Sequence, residues 1–368
     1  MNARDGLRAE VLKYIGDGLR AAPVGFEDLA LKVFQYQFSE NQPYRRFCER
    51  RGLTPDKVTH WGEIPAVPTA AFKEAALVCG GPERAEMVFR TSGTTQGLDR
   101  RGTHYLRDLR LYEAAALPNF QAHVLPDGAR LRMLILGPAV ELAPDSSLSW
   151  MLDRVRREFG TPDSAHFVDD GGLCLDELIA ALAESEAGER PVALLGTAAA
   201  FAHLLEALEE RGRRFRIPPG SRIMETGGFK RGRREILRDE LYAMLVERLG
   251  LSELYCVAEY GMTEMCSQFY DNVLRERARG RSPDFRYKVV PPWVRSQVVD
   301  AETLEPLPGG RVGVLRHFDL ANLDSVLAVQ TDDLGVAGDD GFEILGRAAG
   351  AELRGCSIAI DEWLTAQR

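Results

Sequence analysis

Lysine, paired cysteines and long apolar runs are all in short supply in this 368-residue chain, and each shortage excludes something. No apolar stretch approaches the roughly 20 residues that span a bilayer. The opening Met1-Asn2-Ala3-Arg4-Asp5 has no apolar signal region, so the expectation is a cytoplasmic protein with no membrane span. The six cysteines, Cys48, Cys79, Cys174, Cys256, Cys266 and Cys356, include no Cys-x-x-Cys pair. Zinc and redox motifs are therefore disfavoured, and most of these thiols should be reduced and buried as small apolar groups. Basic residues do not outnumber acidic ones: 46 Lys and Arg against 55 Asp and Glu leave a net charge of -9. A dedicated nucleic-acid binder would show a basic face instead, and the local run Arg211 to Arg216 reads as a solvated helix end. No lysine occurs between Lys73 and Lys230, and none follows Lys288. The sequence has no internal repeat and no low-complexity linker.

What is present suffices for a substantial core, since 45% of residues are hydrophobic and 27% charged. The length suits two or three average domains, or one large α/β unit with a smaller attachment. Phe26, Leu29, Ala30, Val33, Phe34 and Phe38 fall on one helical face, so packed helices are expected near the start. Pro65 and Pro68, flanking the region of Val67, favour an extended connection. Leu131 to Leu136 and Val192 to Leu195 read as buried strands. Helical spacing appears at Leu175, Leu178, Ile179 and Leu182, then at Phe201, Leu204, Leu205 and Leu208. It returns at Ile236, Leu237, Leu241 and Leu245, with Gly250 placed to close that helix. Such alternation predicts mixed α/β layers with motif loops at strand ends. From Tyr287 onward short strands take over, at Lys288 to Val290, Val294 to Val299, Val312 to Leu315, Val326 to Val329 and Phe342 to Leu345.

The densest chemical signal is Phe89-Arg90-Thr91-Ser92-Gly93-Thr94-Thr95-Gln96-Gly97. Glycines let backbone N–H groups turn toward one point, and the hydroxyls add donors to the same anion, which suits a triphosphate. It is not a kinase or GTPase phosphate loop, because the lysine that motif places after its last glycine is missing; Leu98-Asp99-Arg100-Arg101 follows instead. Alone, such a run reads equally as a flexible surface turn. Three later segments come in order: Thr226-Gly227-Gly228, Tyr260-Gly261-Met262-Thr263-Glu264, and Thr331-Asp332-Asp333-Leu334-Gly335 with Gly346-Arg347 beyond it.

This ordered set resembles the adenylate-forming superfamily of acyl-CoA synthetases, peptide-synthetase adenylation domains and beetle luciferases. Those enzymes carry a Thr-Ser-Gly-Thr-Thr-Gly loop, a Tyr-Gly-x-Thr-Glu motif, a Thr-Gly-Asp motif and a Gly-Arg hinge; Thr331-Asp332-Asp333 departs from the third. A narrower resemblance covers nearly the whole chain. Tyr36-Gln37, Pro43 to Cys48, Ile64 to Lys73 and Arg354-Gly355-Cys356-Ser357 are similar to the acyl-protein synthetase family. The resemblance implies an α/β fold: the large domain of adenylate-forming enzymes, with mixed sheets layered by helices and a small β-subdomain. It further implies that the mobile C-terminal domain is absent or reduced to a short tail. The expected divisions are a helical region over 1–85, a nucleotide-binding α/β core over 86–285, a β-rich subdomain over 286–345 and a tail over 346–368.

The roles that follow are those the resemblance implies. Adenylation joins a carboxylate to the α-phosphate of ATP, expels pyrophosphate and yields acyl-AMP, so fixed donors and Mg2+ must neutralise the anions. Thr91, Ser92, Gly93, Thr94 and Thr95 would hold the β- and γ-phosphates, with Arg100 or Arg101 in place of the loop lysine that many relatives have. Gly227 and Gly228 would pass flat against adenine, with Tyr260 and Gly261 on its other side. Glu264 would bind magnesium as a hard oxygen ligand, and Thr263 would lie near the α-phosphate. Asp333 would accept the ribose hydroxyls, with the register open by one residue to Asp332, and Arg347 would add a second contact. Ala348-Ala349 after Arg347 speaks against a large hinge rotation. His104 reads either as a guard of the acyl carboxylate or as a structural histidine, and Lys230 and Arg231 would contribute only positive field.

Cys356 would carry the acyl group as a thioester, with Gly355 permitting close approach and Arg354 lowering the thiol pKa; the competing reading is a buried strand cysteine before Ser357-Ile358-Ala359-Ile360. The leading function is ATP-dependent activation of a carboxylic acid, a fatty acid by resemblance, with transfer to a protein cysteine. An acyl-accepting reductase or carrier protein would be its partner. The alternatives are delivery to coenzyme A or a carrier-protein thiol, and a non-catalytic adenine-nucleotide sensor.

Overall fold

The computed structural model describes residues 3–19, 24–92, 101–227, 229–231, 234–236, 238–283, 285–339, 341–348 and 363–367. The chain forms two compact units. One takes Met1–Pro118, Met262–Gln268 and Tyr287–Arg368, and the other takes Asn119–Gly261 and Phe269–Arg286.

The first unit opens on the helices Ala3–Gly18, Phe26–Glu40 and Gln42–Arg50. Asn41 starts the third by accepting a hydrogen bond from the Tyr44 N–H at 3.2 Å, and Pro43 sits in its first turn, where no donor is lost. Phe26, Leu29, Ala30, Val33 and Phe34 are buried as their spacing predicts, but Phe38 is only half-buried and Gln37 takes the inner position. The reason is polar. The Gln37 amide donates to the carbonyls of Asn322 and Leu323 at 2.9 and 3.1 Å and accepts from Leu327 N–H at 2.8 Å.

The same unit holds an antiparallel sheet running Val294–Val299, Val312–Asp319, Ala328–Ala337, Gly341–Arg347 and Lys288–Val289. Val67–Pro68 joins it in parallel beside Val329 and Gln330, so the two prolines do bracket an extended entry. Thr331 to Gly335 lies within the strand Ala328–Ala337 rather than in a loop at its end, and its pairing slips between Leu334 and Gly335. Such a bulge kinks the strand and re-aims side chains. A separate hairpin pairs Met87–Arg90 with Thr103–Leu106.

The second unit is a parallel sheet ordered Cys256–Tyr260, Arg222–Thr226, Val192–Thr197, Arg132–Pro138 and Ala165–Asp169. Antiparallel strands flank it at both ends, Phe269–Asp271 and Gly172–Leu173. Its strands read as near-continuous apolar runs because helices cover both faces of such a sheet. Leu134, Leu136, Leu194 and Ile223 pack with Phe201, Leu204 and Leu208 of the helix Ala198–Glu210 and with Leu241 and Leu245 of the helix Arg238–Leu249. Each such side chain contributes roughly 1.5–3 kcal/mol by leaving water. The last helix starts later than its spacing suggests, since Ile236 ends the short strand Arg234–Ile236, paired with Phe229–Arg231. Gly250 does close it: at φ +69° its N–H donates to Val246 O at 3.0 Å.

Candidate functional site

In the first unit the hairpin positions the start of the hydroxyl-rich loop. Beyond the pair Arg90 and Thr103, Thr91 N–H donates to Gly102 O at 2.9 Å, and Gly102 N–H donates to Thr91 Oγ1 at 2.8 Å. Arg101 donates Nε to Thr91 O and Nη2 to Arg90 O at 3.2 Å, so its guanidinium braces the loop's entry. Ser92 follows Thr91 and is exposed. Gly93, Thr94, Thr95 and Arg100 lie outside the described residues.

Glu264 is brought to this corner by the segment Met262–Gln268, which a buried polar network ties to the first unit. Trp293 Nε1 donates to Ser267 Oγ, Ser267 Oγ donates to Asp319 Oδ1, both at 2.9 Å, and Cys266 N–H donates to Asp319 Oδ2 at 3.1 Å. Burial pushes Asp319 up to about 6 against those hydrogen bonds. Asn322 Nδ2 donates to Glu264 O at 2.9 Å, and His104 Nδ1 donates to Thr263 O at 2.7 Å. His104 is itself buried edge-on to Phe72 and held down to about 4 by that burial, so it is a neutral strut under the turn. Of its two readings, the geometry gives the structural one.

The Glu264 side chain is 7% exposed, and burial pushes its carboxyl up to about 7. Its own backbone hydrogen bond and the charges of Arg347 and Lys73 pull the other way, while Asp333 adds to the rise. A Cβ on Gly102 would sit 3.5 Å from Glu264 Oε1 and 3.1 Å from Thr91 Cγ2, so a side chain there would fill the corner. Asp333 and Arg347 face each other across paired strands, with Arg347 Nε 3.3 Å from Asp333 Oδ1. Strand alternation sends Asp332 to the opposite face, and it is Asp333 that shares Glu264's electrostatic surroundings. Thr91, Thr263, Glu264, Asp333 and Arg347 therefore belong to one unit although they are far apart in sequence.

Among the described residues no three His, Cys, Asp or Glu side chains converge on a metal position. Magnesium bound through substrate phosphates needs only one or two carboxylates, and the buried Glu264 beside the glycine corner fits that mode.

The second unit supplies its motifs at the carboxyl ends of parallel strands, where α/β sheets bind ligands. Thr226 ends one strand and Tyr260 its neighbour. Thr226 Oγ1 donates to Glu259 Oε2, directly opposite in register. Gly227 follows at φ +80°, which a side chain rarely adopts, and a Cβ there would meet nothing within 4 Å. Tyr260 is half-buried, leaning on Phe269 at 5.7 Å between ring centroids, which makes it a supported aromatic surface rather than a core ring. Gly261 is exposed beside it. Gly228 lies outside the described residues, as does anything concerning the side chains of Lys230 and Arg231.

Cys356 also lies outside the described residues. The other five cysteines are unpaired thiols, all buried but Cys174. Burial pushes Cys48 and Cys256 up to about 12 and also raises Cys79, Cys266 and Cys174. Sequence reasoning missed Lys73, Gly102, Asn322 and Glu259. Lys73 closes a stretch already singled out by resemblance, whereas the other three follow from contacts that no spacing reveals.

The family described as "Acyl-protein synthetase, LuxE" matches residues 23–365. A long-chain-fatty-acid–luciferin-component ligase of Vibrio harveyi is 25% identical over 347 residues, 91% of this chain and 87% of the relative. Its namesake in Aliivibrio fischeri is 22% identical over 315 residues, 84% and 78% of the two chains. Among solved structures, 2-hydroxyisobutyryl-CoA ligase with 2-HIB-AMP and CoA in the thioesterification state has a TM-score of 0.62 at 17% identity, covering 94% of this chain and 69% of that one. Its open conformation gives 0.61 at 16% identity, covering 87% and 69%. The fold is that of the adenylate-forming ligases.

Proposed function

Because the chain belongs to the acyl-protein synthetase family, we propose that it uses ATP to activate a fatty acid as acyl-AMP and passes the acyl group to Cys356 as a thioester. The single observation that carries this reading is the corner formed by Thr91, Gly102 and Glu264, in the electrostatic reach of Asp333 and Arg347. It collects, in one unit, a start for phosphate binding, a hard metal ligand and a pair suited to a ribose diol.

In the proposed reaction a carboxylate oxygen of the acid attacks the α-phosphorus, and the bond to the bridging oxygen of pyrophosphate breaks. Magnesium, when bound, neutralises the phosphates; Glu264 is the residue that would hold it. Thr91 and Ser92 begin the loop that would hold the β- and γ-phosphates. Thr263 would lie at the α-phosphate, and Asp333 and Arg347 at the ribose; the family resemblance, by itself, gives Gly227, Gly228, Tyr260 and Gly261 to the base. The sulfur of Cys356 then bonds to the acyl carbon and AMP leaves. Four of the five described thiols are buried, which keeps them from an acyl-AMP and supports this choice of acceptor. The fatty-acid class follows the names of the two bacterial relatives, and an acyl-accepting reductase or carrier protein is the partner of that thioester. No helix among the described residues is long and apolar enough to cross a membrane.

The test is incubation with ATP, magnesium and a panel of carboxylic acids, reading nucleotide products and intact protein mass. AMP should appear only with a suitable acid, together with a hydroxylamine-sensitive acyl adduct. Cys356→Ser should still form acyl-AMP and lose the adduct; an undiminished adduct moves the acceptor elsewhere. ADP as the product would sink adenylation.

A further inference from the structure

Resting on that reading, we propose that Lys73 is the cation that grips the β- and γ-phosphates and neutralises the departing pyrophosphate. Lys73 ends the short helix Thr69–Lys73, which packs against both Thr103–Leu106 and Ala328–Ala337. That position is fixed from three sides. Val67 and Pro68 pair with Val329 and Gln330 just before it, and Ala71 is fully buried. Phe72 is buried edge-on to His104, with ring centroids 6.0 Å apart, and His104 holds the carbonyl of Thr263. The residue after this anchored phenylalanine is exposed, and among the described residues it makes no ion pair. The helix it ends lies against the strand Thr103–Leu106, whose His104 is bonded to Thr263, the neighbour of Glu264 in sequence.

The phosphate end, rather than the ribose end, follows from two facts. Thr103–Leu106 is the strand that receives the chain from the hydroxyl-rich loop, and Glu264 Oε1 lies at the Thr91–Gly102 corner where that loop begins. Among the described residues Arg101 also stands there, and its Nε and one Nη are committed to the carbonyls of Thr91 and Arg90. An ammonium on a flexible stem suits a point-charge contact to phosphate oxygens. No proton is transferred in this step. The acid's carboxylate oxygen bonds to the α-phosphorus, the electron pair of the broken P–O bond stays on pyrophosphate, and the ammonium offsets the charge that accumulates there.

The experiment compares wild type, Lys73→Met and Lys73→Arg in the full chain, using MgATP with an acid that supports AMP release. Lys73→Met should lower kcat/KM for MgATP by more than about tenfold and weaken product inhibition by pyrophosphate to a similar degree. Its thermal midpoint and the KM for the acid should not move, because the side chain is exposed and bears on phosphate. Lys73→Arg should recover most of both losses. Unchanged kcat/KM with unchanged pyrophosphate inhibition would overturn the proposal, as would a loss confined to the KM of the acid. Absence of AMP from wild type with every acid would instead reject the adenylation reading. Calorimetric binding of MgATP to wild type and Lys73→Met then still decides the matter, and equal affinities would overturn the role of Lys73.

Discussion

The two units hold their motif residues by different physics. In the second, Thr226, Gly227, Tyr260 and Gly261 stand where buried parallel strands run out, and the strands are fixed by apolar packing. In the first, Glu264 is fixed by side chains that hydrogen-bond to backbone far away in sequence, such as Asn322 to Glu264 O and Cys266 N–H to Asp319. Apolar packing is non-directional and tolerates variation in partner. A buried polar network places a carboxylate within narrow limits and is costly when one member is lost. The first kind of support suffices for the flat base proposed for Gly227 and Tyr260, whereas the metal proposed for Glu264 calls for the second.

The contrast is most strongly tested in the apolar unit. Leu194→Ala, at a fully buried strand position, should cost about 2–5 kcal/mol in urea denaturation. A loss under about 1 kcal/mol would show that this sheet can collapse around the gap and does not anchor the motif ends.

Next comes the carboxylate itself. Glu264 has its folded pKa at about 7 against 4.5 ordinarily, so folding holds its proton more tightly than the unfolded chain does. Below pH 4.5 both states are protonated and the group costs nothing; as pH rises to 7 the unfolded state alone ionises and stability falls. Glu264→Gln should therefore stabilise the metal-free protein at pH 8, by about 3 kcal/mol at most, and give no gain near pH 4. Thermal melts across that range check the sign, and a gain that grows toward acid would contradict it. The same variant should lose turnover by about a hundredfold.

Asn322→Ala removes the donor to Glu264 O and Val326 O. We expect about 1–3 kcal/mol of destabilisation from the two stranded carbonyls, with AMP formation falling in the folded fraction as well. Full activity in that fraction would separate Glu264's placement from the network. The smallest effect belongs to Arg347→Ala. Its pair with Asp333 is 79% exposed on the arginine side, so stability should change by about 1 kcal/mol or less while the KM for ATP rises. A large shift in the melting midpoint with no change in KM would recast Arg347 as a purely structural residue.

These differences also explain how much could be read from the sequence. Leu131 to Leu136 and Val192 to Leu195 were readable as strands because a buried parallel strand is apolar at successive positions, and the structure has Arg132–Pro138 and Val192–Thr197 there. Ile236 misled, since one apolar residue at a hairpin's end satisfies helical spacing as well as strand pairing. The loop motifs are visible as strings of glycine and hydroxyl residues. The turn holding Glu264 is visible as a motif, but its supports are not: His104, Asn322 and Asp319 act through side-chain hydrogen bonds across the fold, which impose no period on the chain. Lys73 is of the same kind, because an exposed lysine after an anchored Phe72 has the composition of any surface helix end.

The way the chain is shared between the units also sets an order of assembly. Every residue of the parallel-sheet unit lies between Asn119 and Arg286, whereas the other unit draws on both ends of the chain and on Met262–Gln268. During synthesis the parallel-sheet unit can condense once Arg286 has emerged from the ribosome. The antiparallel sheet beside Glu264 must wait for Val294 to Arg347, and the early helices Phe26–Glu40 and Gln42–Arg50 wait with it. Gln37, whose amide finds its partners only at Asn322, Leu323 and Leu327, marks that wait: until those residues have been made, its amide stays with water and the apolar face around it stays uncovered.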